Sequence, residues 1–422
     1  MRGLVVPLVV PIVVALLALS NTPRAADWPQ FRGPGGQGHS AEVGVPLTWS
    51  ETENVAWKVP VPGIGWSSPV VAGGRVWVTT VVEPGDGSRR GLRDASLRAL
   101  AYDVSSGREV VNVEVFRGSA VRDLNPKNSR ASPTPIVEGD RVYVHFGAEG
   151  TAALSTAGEI LWTTRLRYQS QHGNGGSPAL YRDLLIISCD GNGGDAYVVA
   201  LDTKTGKTRW RTERRSPADQ AYATPLVIRV GDRDQVVAPG AYRAAAYDPL
   251  TGDELWRVRY DDGFSNVPRP VFGGGLVYIA TGFNAPTLMA VRPGGRGDIT
   301  RTHVAWTASR GAPLTPSPLL VGELIYYVSD TGVLTLAEAR TGTVLWQQRL
   351  GGNYSASPVM VDGRIYFQNE EGVTTAIAPG REFRRLAVNR LDGAMLASMA
   401  VADGSIFIRT HDRLYRIATR QP

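Results

Sequence analysis

The chain holds a single cysteine, Cys189, among 422 residues. One thiol excludes an intrachain disulfide and any redox pair of adjacent cysteines. No Cys-x-x-Cys-His occurs, so no covalently attached haem segment is present. The five histidines, His39, His145, His172, His303 and His411, are scattered. They form no His-x-x-Glu-His, and no Gly-x-Ser-x-Gly is found, so neither a zinc-protease helix nor a nucleophile elbow can be read. His145 and His411 end alternating stretches and read as polar strand-end residues. No run of Lys or Arg stands out beyond the pairs Arg89-Arg90 and Arg214-Arg215. The 45 basic residues nearly balance 39 acidic ones, for a net charge of +6. That describes a mildly basic solvated surface and not a nucleic-acid footprint. No stretch carries sustained helical periodicity, which argues against a bundle or an α/β fold. Cys189 closes the apolar run Leu184–Ser188 and reads as a packed thiol, not a nucleophile.

Glycine (48) and proline (28), by contrast, are abundant without low complexity, so the excess belongs in many turns. Residues 1–26 read as a cleaved export signal. Arg2 starts it, Leu4–Leu19 is apolar but broken by Pro7 and Pro11, and the small residues Ala18, Ser20, Ala25 and Ala26 follow. The cut falls after Ser20 or Ala26. The apolar run is shorter than the roughly 20 residues a transmembrane helix needs. No cysteine near the cut could take a lipid anchor. These features place the protein in the periplasm or outside the cell. Residues 27–48 form a Gly/Pro-rich lead-in that contains Asp27-Trp-Pro-Gln-Phe-Arg-Gly-Pro-Gly-Gly-Gln-Gly-His39. Glycine-rich loops cradle phosphate only between a strand and a helix, and neither flanks it. It is expected to be strapped to the body by Trp28 and Phe31.

The remainder repeats. Ala200-Leu-Asp-Thr-Lys-Thr-Gly-Lys-Thr-Arg-Trp210 returns as Ala246–Trp256 and, more worn, as Leu336–Trp346. Asp202 and Asp248 can accept from backbone N–H groups two or three residues on, and Gly206 and Gly252 can take positive φ. The Trp then falls on the next strand, where it can pack on a neighbouring unit. A second mark recurs roughly every 45 residues, the length of one propeller blade. It is Ser68-Pro69, Ser132-Pro133, Ser177-Pro178, Thr224-Pro225, Arg269-Pro270, Ser317-Pro318 and Ser357-Pro358, with an eighth copy from Ser398 that lacks the proline. Each precedes an apolar run, a tight turn and an alternating strand such as Val142–Val144 or Ile365–Phe367. The longer first interval places an insertion at Glu83–Ala95. One unit therefore reads as four antiparallel strands, a propeller blade. The predicted fold is all-β: residues 49–422 form a single eight-bladed propeller. Asn54–Val59, with Trp57 in the Trp position, supplies the missing outer strand of the last blade and closes the ring.

These units resemble the pyrroloquinoline quinone (PQQ)-like propeller superfamily, whose blade motif is close to Ala-x-Asp-x-x-Thr-Gly-x-x-x-Trp. Residues 200–210 and 246–256 match it fully; Val111 replaces the Trp elsewhere, Ala157-Gly158 replaces Thr-Gly, and Gly294-Gly295 marks an insertion. The short, eight-bladed, exported form is similar to the outer-membrane assembly factors of this superfamily. That resemblance implies a non-catalytic module that binds envelope or outer-membrane proteins, or extended peptides, as a monomer without transmembrane span or nucleic-acid partner. A resemblance to quinoprotein dehydrogenases would imply PQQ on the axis, a Ca²⁺ held by carboxylate and amide oxygens, and an Asp base. Glu149, Asp190, Asp195, Asp330, Glu370 and Glu371 are the acids available for a metal, and most stand where turn chemistry alone explains them. The expectation is therefore no cofactor, no metal and no catalytic residue. Residues just before each Ser-Pro mark should ring the mouth of the central channel: Trp66, Arg130, His172, Asn174, Tyr222, Asn266 and Tyr354. Aromatics and Arg are what binding hot spots use, so this ring is the expected binding site.

Overall fold

The computed structural model describes residues 27–83, 94–118, 124–169, 171–191, 195–214 and 220–419. The expected signal segment 1–26 and most of the Glu83–Ala95 insertion lie outside the described residues. Eight antiparallel sheets follow one another in chain order, each with its strands in sequence from the inside out. Blade three is representative, with Ala179–Tyr181, Leu184–Cys189, Tyr197–Asp202 and Thr208–Glu213. Ring closure is as expected. Val55–Pro60 pairs antiparallel with Arg413–Ile417 as the outer strand of blade eight. No sheet edge is left open at the seam.

The repeat motif holds the ring together from one blade to the next. The Asp202 carboxylate accepts from the N–H groups of Lys204 (3.0 Å) and Thr205 (2.9 Å), which shapes the turn. Trp210 of blade three packs on blade four and donates its indole N–H to the Pro249 carbonyl at 2.9 Å. A Cβ on Gly252 would lie 2.5 Å from that indole. The turn glycine is thus required twice, by its φ of 78° and by the neighbouring Trp. Trp57, Trp162 and Trp306 repeat the contact, donating to Val104, Thr203 and Ala339. In the worn units Val111 packs on Gly158 instead.

The Gly294-Gly295 insertion has a structural use. Gly297–Asp298 adds to the outer strand of blade four as a fifth, parallel strand, and so covers that edge. One motif is corrected in blade two. Its inner strand begins at Ile136, after Thr134-Pro135, so Ser132-Pro133 is not the equivalent mark. Hydrogen bonding shows why. Where a hydroxyl stands before the inner strand, from blade two to blade eight, it accepts from the backbone N–H at the same position of the preceding blade. Ser68 donates to Thr134, Thr134 to Ser177 and Ser177 to Thr224, then Ser317 to Ser357 and Ser357 to Ser398, at 2.8–3.0 Å. This run of hydroxyls follows the inner strands around the axis and is interrupted at blade five, where Arg269 stands instead.

Candidate functional site

The lead-in crosses the axis at the end where the inner strands turn outward. Trp28 bridges to Val71 of blade one, and the Pro29 carbonyl accepts from Val137 of blade two. Gln37 accepts from Phe272 of blade five, Ser40 pairs with Met360 of blade seven, and Glu42 accepts from Gly404 of blade eight. A segment that touches so many inner strands must lie over their common centre. The chain then follows blade seven outward, where Trp49 stacks on Tyr366 at 5.8 Å. Trp28 is the expected strap, but the second anchor is Arg32, buried to 1%, whereas Phe31 is only half-buried.

Arg32 donates to the Pro318 carbonyl of blade six at 2.8 Å and to Gln37 at 2.9 Å. Beside it lies Arg269, 2% exposed, which stands where the other blades carry Ser, Thr or Ser-Met. Arg269 donates to the carbonyls of Pro225 (3.2 Å) and Phe31 (2.7 Å). Desolvation pushes both guanidiniums down to about 9, with the charge of Arg269 adding to the lowering of Arg32. Both remain charged at neutral pH.

The opposite end is the mouth formed by the loops before the inner strands. Lys127, in the connection between blades one and two, reaches Glu370 of blade seven at 2.8 Å and lies 4.0 Å from Asp330 of blade six. That ion pair spans the mouth. The expected site residues lie in these loops and make contacts with neighbouring loops and blades. Trp66 donates its backbone N–H to Ala131 and Ser129, and its ring lies 5.9 Å from His411. Arg130 is buried against Glu83. His172 is half-buried at φ 63°, and its carbonyl accepts from the Asn128 amide at 2.8 Å. Asn174 accepts from the Tyr168 hydroxyl at 2.9 Å. Tyr222 is half-buried, bonds Gln171 through its hydroxyl at 2.6 Å and Asn266 through its backbone, and burial raises its pKa. Asn266 (0% exposed) donates to the Tyr260 hydroxyl and the Ala280 carbonyl, and Tyr354 (1%) packs in the core of blades six and seven. Trp66 and Tyr222 are half-buried, whereas Tyr354 and Asn266 are buried.

Three aromatics that the Ser-Pro spacing did not point to stand out there. Phe283, 55% exposed, packs edge-on against Phe264 at 5.6 Å, and Phe264 lies 6.0 Å from Tyr242. The short pairing of Gly263–Phe264 with Phe283–Asn284 sets this ladder on the mouth side of blades four and five. Phe264 lies two residues before the expected site residue Asn266, and no regular spacing marks the other two.

Of the acids considered for a metal, Asp330, Glu370, Glu371 and Asp190 are engaged by other groups of the chain. Asp330 accepts from Leu314 and Thr315, Glu370 from Ser355 and Lys127, and Glu371 from Asn353. Asp190 is fully buried 2.9 Å from Arg214, and burial outweighs that guanidinium to raise its carboxyl to about 6. Among the described residues, no three His, Cys, Asp or Glu side chains converge. Cys189 is buried among Leu185, Ile187 and Tyr197, and burial pushes its thiol up, as a packed thiol requires. A cleft of about 330 Å³ opens between blades three and four, lined by Glu213, Arg214, Arg243, Glu254, Arg257 and Arg259.

Residues 240–349 and 297–382 match the family model described as the outer membrane protein assembly factor BamB. The structure is similar to BamB from Moraxella catarrhalis, with a TM-score of 0.59 at 14% identity, covering 87% of this chain and 99% of that one. It is also similar to a europium-containing methanol dehydrogenase, with a TM-score of 0.53 at 12% identity, covering 84% and 89%. No curated protein sequence matches the chain. Among the described residues, no helix is long and apolar enough to cross a membrane. The likenesses agree on the fold, an eight-bladed propeller, and the match over residues 240–382 adds a resemblance to the PQQ-like repeat.

Proposed function

We propose that the protein is a non-catalytic, exported propeller of the cell envelope that binds extended segments of envelope or outer-membrane proteins on its mouth face. The observation that carries this reading is the aromatic ladder Tyr242–Phe264–Phe283, half-buried at its first two rings and exposed at Phe283. Large rings held by their neighbours offer contact area at little cost in side-chain entropy, which is why aromatics dominate binding hot spots. The ladder falls within residues 240–349, the part that matches the assembly-factor model. Trp66, Tyr222 and His172 would extend the same face across the mouth. The carboxylates engaged by backbone, Ser355 and Lys127 support the absence of a metal and quinone site.

The test uses a fluorescent peptide that copies an amphipathic strand of an outer-membrane barrel, followed by anisotropy. Saturable binding is expected. Phe283→Ser with Phe264→Ala should weaken it more than about tenfold, with an unchanged melting temperature. Undiminished binding by that variant sinks the site. Added PQQ with Ca²⁺ should neither raise the melting temperature nor give dye-linked alcohol oxidation; stabilisation together with turnover would favour a quinoprotein enzyme instead.

A further inference from the structure

We infer that the propeller axis carries a binding site for a small oxyanion, held by Arg32 of the lead-in and Arg269 of blade five. Both guanidiniums are at least 98% buried, and each lies within the field of the other. Among the described residues neither forms an ion pair with a carboxylate; their partners are the neutral carbonyls of Gln37, Pro318, Pro225 and Phe31. Arg32 keeps Nε and Nη1 buried without an acceptor. Two like charges in one dry site repel, and an isolated buried charge is costly. Arginine does not escape by losing its proton at neutral pH. An oxyanion answers all three demands: it cancels charge, accepts from the free N–H groups of Arg32, and favours guanidinium over other donors.

The repeat supplies a second, independent observation. Arg269 occupies the position of the hydroxyl girdle, and at this blade the girdle is given up for a charge. The lead-in is built around the two side chains. A Cβ on Gly36 would lie 2.1 Å from Arg269 Nη1, and one on Gly38 2.7 Å from Arg32 Nη2. The Gly-rich run is thus the wrapping of two cations, and the bound anion would pin it across the axis.

The melting temperature of the full chain is measured against sodium sulfate and sodium phosphate at constant ionic strength, with sodium chloride as the balancing salt. Heat of binding is titrated in parallel. The wild type should gain stability in proportion to the logarithm of oxyanion concentration once above its dissociation constant. Arg269→Ser restores the hydroxyl found in neighbouring blades; it should fold and lose that dependence. Arg32→Gln should lose it as well, and it should leave the lead-in open to protease. A wild type indifferent to the oxyanion in both measurements would overturn the site. So would an Arg269→Ser protein that keeps the full oxyanion dependence.

Discussion

Blades three and four and the propeller axis both bury arginine, and they treat it in opposite ways. At the blade interface Arg214 is 2% exposed and meets the equally buried Asp190 at 2.9 Å. Around it Arg243 and Arg257 share Glu254, Arg211 meets Glu213, and Arg259 meets Asp298. Every guanidinium of that cleft has a carboxylate from its own chain. On the axis Arg32 and Arg269 have only carbonyls and each other. A fold that can supply counter-charges in one place and omits them in another leaves that second place to be completed from outside. His145 shows a third solution. Burial lowers it to about 3, so it sits neutral beside the Thr151 hydroxyl at 2.8 Å.

Removing the counter-charge at the first region should have the largest effect. Asp190→Ala leaves Arg214 buried and uncompensated, and should cost about 3–5 kcal/mol in a denaturant melt. Replacing both members, Asp190→Leu with Arg214→Met, should recover most of it; a double variant as weak as the single would break the comparison. On the axis Gly36→Ala drives a methyl into Arg269 at positive φ and should cost about 2–4 kcal/mol, read as protease cleavage of the lead-in. Gly35→Ala has nothing within 4 Å of the new atom and should carry only the smaller backbone strain. Equal protease sensitivity in the two variants would argue against tight wrapping.

At neutral pH the effect that separates His145 from the arginines vanishes; it appears only on acidification. Its folded pKa lies below its unfolded one, so the unfolded chain binds more protons between pH 6.5 and about 3. Stability should therefore rise with pH across that window, and be lost on acidification by about 1.4 kcal/mol per pH unit from this residue. His145→Gln should flatten that slope relative to wild type. An identical slope in both proteins would assign the acid sensitivity elsewhere.

The repeat was legible because one physical unit is used eight times. The Asp-x-x-Thr-Gly turn, the Trp contact and the strand Val55–Pro60 that closes the ring all follow from local chemistry at a fixed period. Where two marks compete within three residues, as at Ser132-Pro133-Thr134-Pro135, spacing cannot choose; the hydroxyl that receives the preceding blade's N–H does. Phe283 and Tyr242 were missed for a related reason. They sit in loops of unequal length, and only pairing with Gly263–Phe264 brings them together.

The sequence by itself determined the fold class, the blade count and the seam, since hydrophobic alternation and turn residues act over short range and repeat. Tertiary structure alone decided that the lead-in crosses the axis, that Arg32 and Arg269 meet there across 237 positions of chain, and that Lys127 bridges the mouth to Glu370. Those contacts join residues with no shared period. Their energies depend on burial and on distance between charges, quantities that exist only once the ring has closed.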